Sequence, residues 1–351
     1  MKIAFLDRDG VLIFEPQDTF KVDSVNLLKI LSGVVDGLRR FMDEGYKLVM
    51  VSNQDGIGKG NFSKKGFWEA QNLLMDQLKK QGIEFYKVFI CPHMIEDKCS
   101  CRKPKIGLVK EFFKGKKAVF DQGKSFMIGD RQTDMGFAKN LGIRGFLKET
   151  NGRFPRVSSM ERQTSETEIF AQVNLDGRGE YKIDTGIGFF DHMLEQFARY
   201  AMVDLTVLAK GDLKIDEHHV VEDVGIVLGQ ILSRALGDFK GVERYGFVLP
   251  MDESLAGTAI DLSNRPCLVF NAKFKRSDVG GFPTELVKEF FNAVANNLKA
   301  AIHVNLYYGE NDHHKIEAIF KSFGRALRAA IEKNPRLEGI LLSTKGKIGS
   351  G

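Results

Sequence analysis

Two copies of the pattern His-His-x-x-Glu occur in the second half of the chain, at His218–Glu222 and His313–Glu317. Each copy is predicted to begin a helix, where residues four positions apart lie on one face. The first histidine of each copy therefore pairs with its glutamate. The middle histidines, His219 and His314, project about 100° away and must serve another group. A single histidine pair would be an ordinary surface or core feature, but two copies indicate metal binding.

His192 and His303 enlarge this set, which then holds six of the seven histidines of the chain. Divided evenly, the eight candidate ligands give two metal sites, each with three histidines and one glutamate. Such sites keep coordination positions open, as a catalytic metal requires. Imidazole and carboxylate ligands without thiolate suit Mn²⁺, Fe²⁺, Zn²⁺ or Ni²⁺. The HExxH pattern of metalloproteases is absent, and that class is discounted.

The first half of the chain carries aspartates that could act on a phosphate ester. Asp7 and Asp9 follow the first predicted strand, and residues two apart in extended backbone share a face. One carboxylate can attack phosphorus to form an aspartyl-phosphate, and the other can protonate the leaving oxygen and later activate water. Later strand ends supply phosphate-binding groups and a carboxylate for a hard cation: Ser52, Asn53, Arg102, Lys103 and Asp130.

Four soft or borderline ligands lie close together in the pairs Cys91-x-His93 and Cys99-x-Cys101. Three cysteines this close favour metal ligation over a disulfide framework. The composition predicts a closed tetrahedral Zn²⁺ site, in which no position remains for a substrate. We therefore expect a structural zinc whose loop holds the neighbouring Arg102 and Lys103 at the phosphate pocket.

The elements that position these residues differ between the two halves. Strand–helix alternation in the first half predicts an α/β, Rossmann-like domain with a parallel sheet and a site beyond the strands' carboxyl ends. The second half reads as antiparallel strands with long helices, an α+β domain built from a duplicated sheet-plus-helices unit. The polar segment Thr150–Gln163 is the expected linker, which gives domains 1–160 and 161–351.

The composition limits the partners. Net charge is +5 over 351 residues, and the basic residues are scattered, which argues against nucleic-acid binding. No apolar run approaches the roughly 20 residues of a membrane span. Acidic residues occur within the first ten positions, so the N-terminus reads as a strand rather than a signal peptide. These features predict a cytoplasmic protein.

The phosphate-binding set, together with Gly10 and Asp134, resembles the haloacid-dehalogenase-type phosphatases over about residues 1–148. This resemblance implies that Asp7 is the nucleophile and Asp9 the general acid and base. It also implies Mg²⁺ held by Asp7, Asp9 and Asp130, with Asp134 bracing its loop. The cysteine loop resembles the zinc-bearing subgroup that includes histidinol-phosphate phosphatase and a heptose-bisphosphate phosphatase.

Five segments of the second half look like imidazoleglycerol-phosphate dehydratase: Gly188–Leu194, the two His-His-x-x-Glu copies, Pro250–Glu253 and Ser343–Gly346. The resemblance covers about residues 164–348. The whole chain resembles bacterial bifunctional histidine-biosynthesis enzymes, in which histidinol-phosphatase precedes this dehydratase. Two Mn²⁺ ions per dehydratase site are implied, one held by His192, His219, His313 and Glu317, the other by His218, Glu222, His303 and His314.

The dehydratase resemblance also implies small phosphorylated imidazole substrates and a large homo-oligomer with metals at subunit interfaces. His219 and His314 are then expected to reach another subunit. Glu166 and Glu253 are the candidates for proton transfer, Glu166 being favoured by the family pattern and Glu253 open to an ordinary role as an exposed carboxylate. The residues expected to bind the substrate's phosphate are Arg244, Arg265, Ser343, Thr344 and Lys345.

Two alternatives stay open at this stage. The first half could act on another small phosphomonoester, such as a heptose bisphosphate. The second half could be a metal-storage or structural assembly protein that uses histidines at its interfaces. The expected phosphate-binding set argues against the second alternative, because a purely structural metal site has no need of it.

The two-site organisation leads to a direct prediction. His218→Ala should abolish dehydration of imidazoleglycerol phosphate and spare phosphatase activity, whereas Asp7→Asn should do the reverse. Each change removes a group with a role in only one of the two chemistries. Both activities are measured on the folded full-length variants, and loss of both from either substitution would contradict two separate sites.

Overall fold

A computed structural model describes residues 1–60, 62–114, 120–238, 240–244, 247–343 and 348. The chain forms two compact units, Met1–Pro155 and Arg156–Gly351. The linker prediction is wrong for Val157–Gln163, which forms a strand of the second unit. This strand is polar but has its first three residues buried, two of them serines, and so its sequence shows no apolar periodicity.

The first unit is the predicted α/β domain. Its strands pair in parallel, in the spatial order third, second, first, fourth and fifth along the chain. The first and fourth strands are wholly buried, which accounts for their nearly unbroken apolar sequences. In chain order the elements are β1 (Ile3–Leu6), α1 (Val34–Asp43), β2 (Lys47–Asn53), α2 (Lys64–Lys80), β3 (Phe85–Cys91), α3 (Gly107–Phe113), β4 (Phe126–Gly129), α4 (Gln132–Leu141) and β5 (Arg144–Leu147).

Parallel pairing brings the carboxyl ends of these strands to one edge of the sheet. Asp7 follows β1, Asn53 ends β2, Cys91 ends β3, and Asp130 follows β4. Gly10 has a φ of 70°, and a Cβ there would lie 2.2 Å from Asp130 Oδ2. Glycine is therefore required where the loop after β1 passes the end of β4.

The second unit contains two four-stranded sheets built from the same succession of elements. We call residues 157–236 and 248–331 the two half-units. The first has three strands, a helix, a fourth strand and a second helix, and the other repeats this order with a small added hairpin. The elements are β6 (Val157–Gln163), β7 (Thr167–Asn174), β8 (Tyr181–Asp184), α5 (Gly188–Ala201), β9 (Asp204–Gly211), α6 (His218–Leu236), β10 (Val248–Met251), β11 (Ser254–Asp261), β12 (Cys267–Asn271), β13 (Asp278–Val279), β14 (Phe282–Pro283), α7 (Leu286–Leu298), β15 (Ala301–Tyr308) and α8 (Asp312–Ile331).

The strand orders are β6-β7-β9-β8 and β10-β11-β15-β12. In each sheet the first two pairings are antiparallel, which agrees with the prediction except that β6 was assigned to the linker. The prediction is wrong for the third pairing, because β8 runs parallel to β9 and β12 parallel to β15. A helix connects the two strands of each parallel pair, α5 in one case and α7 in the other, and such a crossover returns the chain to the starting end of the sheet.

Helices of the two half-units pack against each other, α6 on α7 and α5 on α8. Helix α6 also covers β6 and β7, and α8 covers β10 and β11. The aromatic part of the core is a group of buried phenylalanines on the helices and the β13–β14 hairpin: Phe190, Phe282, Phe290, Phe291, Phe320 and Phe323. Among the described residues, no helix is long and apolar enough to cross a membrane.

Phe290→Ala should lower the free energy of unfolding by about 3–5 kcal/mol, because it leaves a cavity in a close-packed core. Phe290 is fully buried, and its ring centre lies 5.2 to 5.4 Å from those of Phe190, Phe291 and Phe320. Ile215→Ala is the control, since Ile215 is 73% exposed and should change stability by less than about 0.5 kcal/mol. Denaturant unfolding of the two variants tests the difference, and equal effects would contradict the assigned core.

Candidate active sites

A buried lysine joins two aspartates at the carboxyl edge of the first sheet. Lys103 Nζ lies 2.8 Å from Asp7 Oδ1 and 2.6 Å from Asp134 Oδ1, and it donates to the Val51 carbonyl at 2.7 Å. Lys103 is 2% exposed. Burial raises the pKa of Asp134 to about 6, although the ammonium of Lys103 opposes that rise. Lys103 thus offsets the repulsion between buried carboxylates and directs Asp7.

Carboxylate oxygens of Asp7, Asp130 and Asp134 lie within 4.8 Å of one another. This cluster does not include Asp9, which the sequence resemblance placed among the Mg²⁺ ligands. Asp130 Oδ2 accepts a hydrogen bond from Thr150, whereas its buried Oδ1 has no hydrogen-bond partner. An unpartnered buried carboxylate oxygen beside two further carboxylates has the chemistry of a hard-cation site.

Asp9 lies against a fully buried arginine. Arg8 NH1 donates to the two carboxylate oxygens of Asp9 at 2.9 and 3.2 Å, and Gln54 Nε2 donates to Oδ2. The guanidinium of Arg8 also lies over the ring of Phe67, 4.8 Å from its centre. Burial raises the pKa of Asp9, while Arg8 opposes this rise. A raised pKa suits a residue that must donate a proton to a leaving group.

Asp7 and Asp9 open onto a cavity of about 150 Å³, which Ser52, Asn53 and Lys103 also line. Asn53 braces the lysine backbone, since its side chain accepts from Lys103 N at 2.9 Å and donates to Lys103 O at 3.2 Å. Arg102 does not line this cavity in the described part of the chain, and its guanidinium pairs with Asp55 at the rim.

Several side chains that line the cavity were not predicted from the sequence, and Glu15, Arg131 and Gln54 are the ones that contact other polar groups of the pocket. Glu15 is 2% exposed, and its Oε1 lies 2.5 Å from Arg131 NH2. Burial raises the pKa of Glu15 to about 7. Gln54 is the third, and it donates to Ser52 Oγ at 2.8 Å as well as to Asp9. No sequence signal links Glu15 to Arg131, since 116 residues separate them.

The Cys91–Cys101 loop brings its four predicted ligands together, with all four donor atoms within 4.8 Å. Cys101 Sγ lies 3.1 Å from Cys91 Sγ, 3.2 Å from Cys99 Sγ and 3.1 Å from His93 Nδ1. A tetrahedral ion with Zn–S bonds of about 2.3 Å needs sulfur donors roughly 3.8 Å apart. Cys91 Sγ lies 3.7 Å from Cys99 Sγ and from His93 Nδ1, close to that distance, and the contacts of Cys101 are shorter. Lys103 follows the last cysteine by two residues, so the loop adjoins the buried ammonium.

One His-His-x-x-Glu copy forms a cluster with His192. The ligand atoms of His192, His313 and Glu317 lie within 4.8 Å of one another, because α5 packs against α8. His313 Nε2 is 3.5 Å from Glu317 Oε2. The other carboxylate oxygen of Glu317 lies 2.7 Å from Lys321 Nζ, a contact that the sequence did not suggest. Burial lowers the pKa of His313 and so favours the neutral, ligating imidazole.

The other predicted ligands do not join this cluster in one chain. His218 Nε2 lies 3.9 Å from Glu222 Oε2 at the exposed start of α6. His303 lies on β15, opposite Ala259 and Val269, and is exposed. Among the described residues, no second group of three histidine or carboxylate ligands forms in the second unit.

Each middle histidine contacts a carboxylate through Nδ1. His219 Nδ1 is 3.2 Å from Asp212 Oδ1, and His314 Nδ1 is 2.7 Å from Glu253 Oε2. Glu253 Oε1 also accepts from the backbone N–H groups of Asn311 and Glu310, at 3.0 and 3.3 Å. The hydrogen bond from Asn311 is the main reason that the pKa of Glu253 falls to about 2. Such a carboxylate is a weak base, which counts against proton transfer by Glu253.

Glu166 lies in the turn between β6 and β7, and its Oε2 is 3.7 Å from His219 Nε2. Arg244 pairs with Asp261 and donates from NH1 to the Leu342 carbonyl at 2.7 Å, next to Ser343. Arg265 is exposed in the turn before β12. Thr344 and Lys345, also predicted to bind phosphate, lie outside the described residues.

Comparisons with known proteins match these two units. The family model for imidazoleglycerol-phosphate dehydratase matches residues 185–327, and the model for polynucleotide kinase 3 phosphatase matches residues 2–150. The chain is 46% identical to the histidine biosynthesis bifunctional protein HisB of Actinobacillus pleuropneumoniae serotype 3 (strain JL03), over 98% of each chain. That similarity therefore spans both units.

Two solved structures are each similar to about half of this chain or less. An imidazoleglycerol-phosphate dehydratase from Staphylococcus aureus is 42% identical, covers 51% of this chain and 99% of its own, and has a TM-score of 0.47. A D,D-heptose 1,7-bisphosphate phosphatase from B. bronchiseptica is 26% identical, with 42% of this chain and 80% of its own covered and a TM-score of 0.38.

Lys103→Met should lower the free energy of unfolding by about 3–5 kcal/mol, because it leaves the buried Asp7 and Asp134 without their cation. Lys110→Met is the matched control at an exposed position of α3, expected within about 0.5 kcal/mol of wild type. Denaturant unfolding measures both values. An unchanged midpoint for Lys103→Met would show that the ammonium does not hold the two carboxylates together.

Proposed function

Because the chain belongs to the family of HisB histidine-biosynthesis bifunctional proteins, we infer that it carries two activities. The second unit is an imidazoleglycerol-phosphate dehydratase, and the first unit is a histidinol phosphatase of the haloacid-dehalogenase type. The observation that carries this conclusion is the 46% identity over 98% of the chain, which spans the aspartate pocket and the histidine motifs together. It favours histidinol phosphate over a heptose bisphosphate as the substrate of the first unit.

In the phosphatase unit, Asp7 attacks the phosphorus of histidinol phosphate, and the ester oxygen leaves as histidinol takes the proton of Asp9. Asp9 then removes a proton from the water that hydrolyses the aspartyl-phosphate. Ser52, Asn53 and Lys103 hold the phosphoryl oxygens at the cavity wall. Arg8 and Gln54 fix the direction of the Asp9 carboxyl group.

The aspartate cluster fits Mg²⁺, as the unpartnered Asp130 Oδ1 indicates. Asp7 and Asp130 would hold the ion, with Asp9 as the third proposed ligand. When bound, Mg²⁺ offsets the repulsion between the attacking carboxylate and the phosphate dianion. Asp134 is committed to Lys103 and to Arg131 N, which supports its role as a brace for the loop.

The thiolate and imidazole donors of the Cys91–Cys101 loop fit a structural Zn²⁺. All four donor atoms are already within 4.8 Å, and the loop leads directly to the two cations Arg102 and Lys103. Zinc in this loop would fix the backbone from which Lys103 enters the pocket. Thiolate ligands of this kind persist in a reducing compartment, so we place the protein in the cytoplasm.

The histidine ligands of the dehydratase unit fit two Mn²⁺ ions. We assign His192, His313 and Glu317 to one ion, with His219 from a second copy of the chain. The other ion takes His218, Glu222, His303 and His314, again from more than one copy. This assignment rests on the single three-ligand cluster within the described residues of the second unit, which leaves His219 and His314 directed elsewhere. The dehydratase site therefore requires a homo-oligomer.

When bound, Mn²⁺ ions would favour the deprotonated form of the substrate's imidazole ring, from which the hydroxyl group leaves more easily. Glu166 is the proposed base that takes the proton from the substrate carbon, since it lies 3.7 Å from a metal-binding histidine. Arg244, Arg265, Ser343, Thr344 and Lys345 would hold the phosphate, for which a guanidinium fork and a hydroxyl are suited. The matching element order of its two half-units supports an origin of this domain by duplication.

Steady-state turnover of the two phosphorylated substrates, with and without added metals, tests this function. After treatment with a chelator, Mn²⁺ should restore dehydration of imidazoleglycerol phosphate, and Mg²⁺ should restore hydrolysis of histidinol phosphate. A heptose 1,7-bisphosphate is the control substrate for the phosphatase. Failure of both metals to restore turnover would contradict the assignment, and faster hydrolysis of the heptose bisphosphate would overturn the phosphatase substrate.

A further inference from the structure

The middle histidine of each His-His-x-x-Glu copy has its two ring nitrogens in different surroundings. Nδ1 of His219 and Nδ1 of His314 each lie within hydrogen-bond distance of a carboxylate, at 3.2 and 2.7 Å. The Nε2 atoms have carboxylates only at 3.7 and 3.9 Å, from Glu166 and Asp252. In both half-units, therefore, the Nδ1 side of the ring is held and the Nε2 side is not.

We propose that Asp212 and Glu253 are positioning residues, each of which fixes the proton of the middle histidine on Nδ1 and leaves Nε2 to bind Mn²⁺. A carboxylate accepts but cannot donate a hydrogen bond, so its partner nitrogen must carry the proton. The other nitrogen then presents its lone pair, which is the form that ligates metals. This inference rests on the proposed dehydratase function and adds two residues to its metal sites.

The two carboxylates reach their histidines by different routes. Asp212 directly follows β9, seven residues before His219, in the connection that leads into α6. Glu253 lies in the turn between β10 and β11, and 61 residues separate it from His314. Glu253 has a second task, because its other oxygen accepts from Asn311 N just before α8. A test must therefore separate the orientation of the imidazole from the fastening of this turn.

Substitution by amides makes that separation. In Glu253→Gln the amide oxygen can still accept from the backbone N–H of Asn311, but the amide nitrogen then faces His314 Nδ1 and cannot accept its proton. In Asp212→Asn the amide is free to turn its oxygen towards His219 Nδ1, because the only hydrogen bond of the Asp212 side chain in the described part of the chain is that to His219. The proposal therefore predicts that Glu253→Gln binds Mn²⁺ more weakly than wild type. It also predicts that Asp212→Asn regains much of the Mn²⁺ affinity that Asp212→Ala loses.

Binding of Mn²⁺ to the full-length protein is the decisive measurement. The protein is stripped with a chelator, its aspartate pocket is filled with Mg²⁺, and free Mn²⁺ is followed by electron paramagnetic resonance. Wild type should bind two Mn²⁺ per chain. Asp212→Ala and Glu253→Gln should each weaken one of the two by about tenfold to a hundredfold. Glu310→Ala, which removes an exposed carboxylate on the loop that contacts Glu253, should bind like wild type.

The outcomes are distinct. Wild-type protein that binds no Mn²⁺ would overturn the proposed dehydratase function together with this inference. Two Mn²⁺ in wild type, with affinities of Asp212→Ala and Glu253→Gln within twofold of it, would overturn only the positioning role. If Glu253→Ala lowered the Mn²⁺ affinity and Glu253→Gln kept that of wild type, Glu253 would act by holding the turn in place. This result too would overturn its role towards His314. Denaturant unfolding of each variant reports whether the second unit is folded, because phosphatase turnover reports only on the first unit.

Discussion

Adjacent residues on an α-helix project about 100° apart, and the dehydratase site depends on this constraint. His313 turns towards His192 and Glu317, so its neighbour His314 points away from that cluster to Glu253. The same holds at the start of α6, where His218 lies near Glu222 and His219 near Asp212. Each motif therefore supplies ligands in two directions. This geometry supports the proposed site with ligands from several copies of the chain, since one copy does not direct both histidines to one ion.

The phosphatase pocket depends on charge rather than on helical spacing. Three carboxylates, those of Asp7 after β1, Asp130 after β4 and Asp134 in the first turn of α4, lie within 4.8 Å of one another, where their mutual repulsion is strong. The ammonium of Lys103 lies between two of them and leaves Asp130 Oδ1 without a partner. Because Lys103 adjoins the cysteine loop, a zinc ion there would fix the backbone that positions Lys103 in the pocket. A proposed structural metal in this loop would thus be connected to the nucleophile through Lys103 without contacting the substrate.

Features that depend on short sequence spacings were predicted, whereas contacts between residues distant in the sequence were not. The start of α6 and α8 at the histidine motifs, the four-ligand cysteine loop and the parallel first sheet all follow from short spacings, and the structure has each of them. The pairing of Glu15 with Arg131 and of Glu253 with His314 joins residues 116 and 61 positions apart, which no spacing rule reaches. The direction of β8 and β12 was also missed, because alternation of apolar residues indicates which face of a strand is buried but not the direction in which the strand runs. Strand β6 has buried serines and shows no such alternation.

The two half-units share one order of elements, but different carboxylates contact their middle histidines. This difference bears on which glutamate takes the proton from the substrate carbon. In both, the turn of the first hairpin carries a glutamate near the middle histidine, Glu166 in one and Glu253 in the other. The connection from β9 to α6 spans six residues and includes Asp212, which occupies His219 Nδ1. The connection from β15 to α8 has only three residues, none of which reaches His314 Nδ1, and so Glu253 must fill that role. Glu253 is therefore committed to its histidine and to the backbone of Asn311. Glu166 has no such commitment, since its carboxylate accepts no hydrogen bond within the described residues, and this difference favours Glu166 as the proposed base.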